Sequence, residues 1–148
     1  MQFVFSISQV RRYRFPTHTN DLVLDRSEAV TSEVFVVVLQ PGEAPPLHQH
    51  DDTEQIFYIL EGEGILTIGT ENETHAVQPG DVVRIPPATL HSIQAEANST
   101  LRYLAVDCFL DGRPAAEPTW DSHAREICRQ HGWNYDEVIA HDQDAPAS

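Results

Sequence analysis

Short apolar runs at close intervals dominate the first three quarters of the chain. Residues 33–39 (EVFVVVL) are a nearly unbroken series of β-formers and read as a buried strand that stops at the Pro41, Gly42 turn. Residues 55–60, 65–69, 75–77, 81–85, 90–95 and 101–109 repeat the theme, separated by turns rich in Gly, Pro, Asn and Asp, with a hairpin at residues 62–64. Near the start, Phe3, Phe5 and Ile7 alternate with Val4, Ser6 and Ser8, which predicts an edge strand. Many short strands at such spacing predict an all-β sandwich or closed barrel.

After Gly112 the period changes. Residues 113–118 form a Pro/Ala linker, Thr119 can cap a helix over residues 120–131, and Gly132 can stop it. Trp120, Ala124, Ile127, Cys128 and His131 fall on one stripe at i, i+3/i+4 spacing, and Trp133 and Tyr135 prolong the apolar surface. A three-turn helix is marginal alone, so this face must dock on its own barrel or on a second subunit. The expected division is a barrel over residues 1–112 followed by linker and helix over residues 113–148, with residues 142–148 frayed.

The 148 residues suffice for one core. All nine basic residues are arginines, which removes Schiff-base, lysine-anchored pyridoxal and Walker-lysine chemistry. A formal charge of −14 makes nucleic acid and anionic membranes poor partners. No apolar run is long enough to span a bilayer, and MQFVFSISQVRRYRF lacks the order of a signal peptide, so a cytoplasmic location is expected. Cys108 and Cys128 read as small hydrophobes rather than a disulfide.

Candidate chemistry concentrates in two stretches. In residues 42–62, His48 and His50 are one residue apart, which on a strand turns both imidazoles to one face. Glu54 and Gln55 follow as oxygen donors, and residues 80–95 bring a third histidine, His91, behind Pro86 and Pro87. Three nitrogens and one oxygen converging in a β-structure point to a metal ion. Neighbours on a strand face opposite ways, so only one of Glu54 and Gln55 turns inward. An unbroken strand puts Gln55 with Phe57 and Ile59; a bulge would put Glu54 there instead. A neutral Gln leaves the centre one negative charge short. His75 reads as a surface residue, His123 and His131 as packing or exposed residues of the helix, and His18 and His141 have no context.

These residues carry a resemblance to the cupin superfamily. Its first motif, G-x5-H-x-H-x3-4-E-x6-G, is matched by Gly42, His48, His50 and Gly62, and its second, G-x5-P-x-G-x2-H-x3-N, by Gly80, Pro86 and His91. Gln55 stands where the family's metal-binding glutamate is usual, Ala88 replaces the second motif's glycine and Ala95 its asparagine. Ala88 suggests a turn without a positive φ. The resemblance selects the double-stranded β-helix, or jelly roll, among β-architectures. It implies a homodimer and one divalent metal ion on His48, His50, His91 and Gln55, with Fe first and Mn, Ni, Zn or Co as alternatives. Glu54, or an inward histidine off the metal, would act as base. Phe57, Ile59 and Ile93 would wall a substrate pocket, with Arg84 and Tyr103 as polar candidates. An apolar wall favours an oxygenase, of dioxygenase type, acting on a small chelating molecule. The alternatives are a redox-neutral isomerase, lyase or decarboxylase, and a non-catalytic binder of a small molecule.

Overall fold

The computed structural model describes residues 1–140. Nine strands run in chain order: β1 (Arg11–Arg14), β2 (Thr19–Leu24), β3 (Ser32–Leu39), β4 (Thr53–Glu61), β5 (Gly64–Ile68), β6 (Glu73–Val77), β7 (Val82–Ile85), β8 (His91–Ala95) and β9 (Leu101–Phe109). A 3-10 turn at Arg26–Glu28 follows β2, and two helices close the chain, α1 (Trp120–His131) and α2 (Tyr135–Val138). All pairings are antiparallel, in a sheet of order β1-β2-β3-β9-β4-β7 facing a smaller one of order β6-β5-β8. Two antiparallel sheets face to face make the all-β jelly roll, with one principal helix added at the C-terminal side.

The inner faces meet in one core. Phe35, Val37 and Leu39 of β3, Phe57 and Ile59 of β4, Leu66 of β5, Ile93 and Ala95 of β8 and Leu101, Tyr103 and Ala105 of β9 are all buried in it. Period-2 burial along β9, alternating without a break from Leu101 to Phe109, shows why the sequence pattern marked this strand so clearly.

Two expectations from the pattern are corrected. Residues 1–8 form no strand: Phe3 and Val4 are more than four-fifths exposed and Ile7 half exposed, because no partner edge lies beside them. The sheet edge is made instead by β1 and β2, whose polar residues hid them. Second, the turn before β8 does need a left-handed residue: Ala88 has φ +57°. The expected fraying of residues 142–148, and His141, lie outside the described residues.

Helix α1 has the predicted limits. Thr119 and Ser122 form a reciprocal capping box, and Gly132, at φ +70°, ends the helix in a left-handed conformation. Its buried residues, Trp120, Ala124 and Cys128, pack on the chain's own barrel. The Trp120 ring lies 4.6 Å from that of Phe35 and 6.2 Å from that of Tyr13. Among the described residues, no helix is long and apolar enough to cross a membrane. Both cysteines are free, Cys128 buried and Cys108 half-buried.

Candidate functional site

Backbone pairing brings the two histidine-bearing stretches together. His48 forms an isolated bridge with His91: the His48 N–H donates to the His91 carbonyl (3.2 Å) and the His91 N–H to the His48 carbonyl (2.9 Å). Two residues on, the Ala88 N–H donates to the carbonyl of His50 at 2.7 Å. The loop before β4 is thus zipped along β8, which sets the His48 ring centroid 4.4 Å from that of His91 and 4.9 Å from that of His50. His50 and His91 are 6.2 Å apart.

Two of the three rings have a defined tautomer. Nδ1 of His48 bonds the Pro46 carbonyl at 2.6 Å and Nδ1 of His91 the Thr89 carbonyl at 2.9 Å. A carbonyl only accepts, so both Nδ1 atoms carry the proton and both Nε2 atoms keep a lone pair. Burial lowers the pKa of all three: that of His48 falls, His50 drops to about 3 and His91 to about 4, the neighbouring His48 adding to the last two. All are neutral imidazoles at pH 7.

Strand β4 places Gln55 inward, 5% exposed, and Glu54 outward. The irregularity in β4 falls between Ile59 and Glu61, too far along to alter the parity at Gln55. Glu54 accepts a hydrogen bond from Nε of Arg84 at 2.9 Å on the outer face of the barrel. The expectations of Glu54 as a base and Arg84 as a pocket residue are therefore corrected: alternation on β4 and β7 carries both to the surface. Gln55 donates from Nε2 to Oδ1 of Asp107 at 2.7 Å, its partner across β4 and β9. Asp107 also pairs with Glu33 across β9 and β3. Glu33, wholly buried, accepts from Nε and Nη2 of Arg26 at 2.7 and 2.9 Å. Burial and the hydrogen-bonded Asp107 push Glu33 above the usual carboxylate range, against the pull of Arg26.

These groups open on a cavity of about 290 Å³. Phe57, Ile93 and Tyr103 line it; Ile59, fully buried farther along β4, belongs to the core beneath. Burial keeps the Tyr103 hydroxyl protonated, its pKa raised. Six of the eight histidines line the cavity: His18, His48, His50, His91, His123 and His131. Trp120 and Trp133 add aromatic wall. His18 stacks on Phe15 with ring centroids 4.9 Å apart, and His131 on Trp133 at 4.5 Å. Nδ1 of His123 lies 2.8 Å from Oε1 of Glu117, which leaves Nε2 as its free nitrogen.

The polar atoms left without partners define the site more sharply than shape does. Buried side-chain polar atoms are normally hydrogen-bonded. Five in the described residues are not, and four sit on cavity residues: Asn20 Oδ1, Gln55 Oε1, His91 Nε2 and Trp120 Nε1. Among the described residues no three or more His, Cys, Asp or Glu side chains stand closed around one point as an ion would require. The site is thus a set of unsatisfied donors and acceptors around an aromatic cavity.

Sequence reasoning missed His18, Asp107, Glu117 and His123. The period-2 pattern does place Asp107 on the inward face of β9, and His123, Ile127 and His131 do share one helical face. The missing information was which end of the barrel that face covers.

A family model described as "Cupin domain" matches residues 35–107. The oxalate-binding protein of Thermotoga maritima is 35% identical over 68 residues, 46% of this chain and 54% of that protein. Quercetin 2,3-dioxygenase of Bacillus subtilis is 34% identical over 73 residues, 47% of this chain and 21% of that protein. The chain spans 60%, 54% and 21% of the length of three curated relatives that it matches. Among solved structures, a polyketide cyclase from Streptomyces resistomycificus superposes with a TM-score of 0.64 at 25% identity, covering 77% of this chain and 82% of that one.

Proposed function

The chain is a member of the cupin superfamily, and from the site it builds on that fold we propose a metal-dependent enzyme acting on a small, flat, largely apolar molecule that presents chelating oxygens. The observation that carries this reading is the set of buried, unpartnered polar atoms around one cavity, Gln55 Oε1 and His91 Nε2 foremost. The donor chemistry fits a divalent ion: three neutral imidazoles, two with Nδ1 tied to backbone carbonyls, plus one amide oxygen, in the residue types and tautomers that metals select. His48, His50, His91 and Gln55 would hold the ion. Bound there, it would polarise the oxygens of a chelating substrate and, if iron, support an oxygenase reaction.

The rest of the cavity binds and handles protons. Phe57, Tyr103, Trp120 and Trp133 offer flat apolar surface, suited to a conjugated or aromatic enol more than to a free sugar. Trp120 Nε1 and Asn20 Oδ1 supply a donor and an acceptor for substrate oxygens. His123, oriented by Glu117, lines the same cavity and can exchange a proton at Nε2, the role expected of Glu54 from the sequence. The similarity to quercetin 2,3-dioxygenase supports the oxygenase reading. The His123–Glu117 pair favours a second: redox-neutral proton transfer with carbon–carbon bond rearrangement, in line with the likeness to a polyketide cyclase.

Elemental analysis of protein purified without added metal or chelator tests the common core of both. About one equivalent of metal per chain, absent from His91→Ala, is the expected result; no metal in either protein overturns it. Oxygen uptake with flavonol and aryl β-diketone probes then separates the readings. Turnover that continues without oxygen eliminates the oxygenase.

A further inference from the structure

One row of side chains crosses three adjacent strands: Glu33 on β3, Asp107 on β9 and Gln55 on β4, each in cross-strand register with the next. Arg26 anchors the outer end through two bonds to Glu33 and a third, at 3.0 Å, to the Glu117 carbonyl. At the inner end, Gln55 is held by its amide nitrogen and shows its carbonyl oxygen as the free atom. That orientation is dictated chemically, because a carboxylate accepts and cannot donate, so the Asp107 oxygen draws the NH2 end of the amide. A Gln without such a partner is free to turn either end to the cavity, and its NH2 end repels a cation.

We propose that Asp107 is a positioning residue for the ion site: it locks the Gln55 amide with its carbonyl presented to the cavity. This rests on the reading of His48, His50, His91 and Gln55 as the ion-holding set. It follows that Gln55→Glu alone gains nothing, since the new carboxylate would stand 2.7 Å from that of Asp107 and need a proton. Exchanging the two roles should work: in Q55E/D107N, Asn donates to a Glu oxygen and the other Glu oxygen remains for the ion.

Calorimetric titration with Co²⁺ tests this in the metal-stripped full chain, with circular dichroism to confirm folding. Second-sphere partners of metal ligands are worth about 10–100-fold in affinity, so Asp107→Leu should weaken Co²⁺ by about tenfold or more. In a Gln55→Ala background the same change should cost nothing further, because Asp107 acts through Gln55. Q55E/D107N should recover the wild-type affinity. Equal losses from Asp107→Leu in both backgrounds, or no loss in either, overturn the proposal. If wild-type protein binds no Co²⁺, the ion-holding reading fails and the lock is judged in metal-free protein by NMR of the Gln55 side-chain NH2. Slow hydrogen exchange there that Asp107→Leu abolishes supports the lock; identical exchange in both proteins overturns it. Should Asp107→Leu not fold, a Q55E/D107N protein that binds Co²⁺ worse than Gln55→Glu overturns it equally.

Discussion

Ala88 sits at φ +57°, a conformation that costs a residue with a Cβ about 1–2 kcal/mol. Its N–H nonetheless fixes the His50 carbonyl, so the strain is tied to the site. Ala88→Gly should relieve that strain while losing about 0.5–1 kcal/mol to the entropy of the unfolded chain, a net gain of up to about 1 kcal/mol. Urea denaturation would show it as a higher midpoint at unchanged m-value. Gly62 is the opposite case: a Cβ there would lie 2.1 Å from the Thr100 carbonyl oxygen, so Gly62→Ala must move backbone. Motif spacing located both positions, but not which one carries strain, because φ is set by the partner backbone rather than by neighbours in sequence. His18 makes a residue-scale prediction of another kind. Burial, with smaller contributions from His48, Arg14 and His131, lowers its pKa to about 3, whereas in the unfolded chain it titrates near 6.5. Below pH 6.5 the unfolded state therefore takes up a proton that the folded state refuses, and stability falls with pH. His18→Phe keeps the stack on Phe15 and removes this proton. Its stability relative to wild type should rise by about 1 kcal/mol between pH 7.5 and 5.5, and a flat difference in paired urea titrations would refute the burial of this ring.

At the scale of elements, α1 was the most legible part of the chain and the least understood. Thr119, the apolar stripe and Gly132 fixed its limits, since caps and periodicity are local properties of the sequence. What it covers is a long-range property, so the stripe alone left open whether it met its own barrel or another subunit. In the structure Trp120 fills the gap beside Phe35, and His131 at the end of the stripe and His123 beside it become cavity wall. The inner strands were equally legible, because burial on one face imposes alternation. β1 and β2 were not, because Arg11, Arg12 and Arg14 on β1 and Asn20 and Asp21 on β2 interrupt any apolar rhythm. Cross-strand bonds such as Arg12 to Asp21 at 2.8 Å do the pairing there instead. Trp120→Ala tests the helix as a lid. Truncating a buried Trp costs about 3–5 kcal/mol, and here it also detaches the wall carrying His123. Thermal unfolding should drop accordingly. If β3 to β9 remain folded, Co²⁺ affinity should change far less than stability, because His48, His50, Gln55 and His91 all belong to the barrel.

The whole molecule explains why the site could be half read. Backbone pairing of the loop before β4 with β8 joins His48, His50 and His91, and their spaced motifs are visible along the chain. His18 comes from the β1–β2 turn and His123 and His131 from the helix, parts that only the tertiary fold gathers, so no spacing announces them. The cavity they complete holds four of the five unpartnered buried side-chain polar atoms among the described residues, and such a cavity gains stability from whatever fills it. A ligand that binds only the folded state stabilises it by about 2.7 kcal/mol at a hundred times its Kd. Co²⁺ or Fe²⁺ under nitrogen should therefore raise the Tm of metal-stripped protein in proportion to the logarithm of its concentration, and EDTA should reverse the rise. His91→Ala should abolish the rise while costing the metal-free protein no more than about 1–3 kcal/mol of stability, since it also removes a buried nitrogen that has no partner. A rise that survives His91→Ala would place the ion elsewhere among the six histidines, with His18, His123 and His131 the next to test.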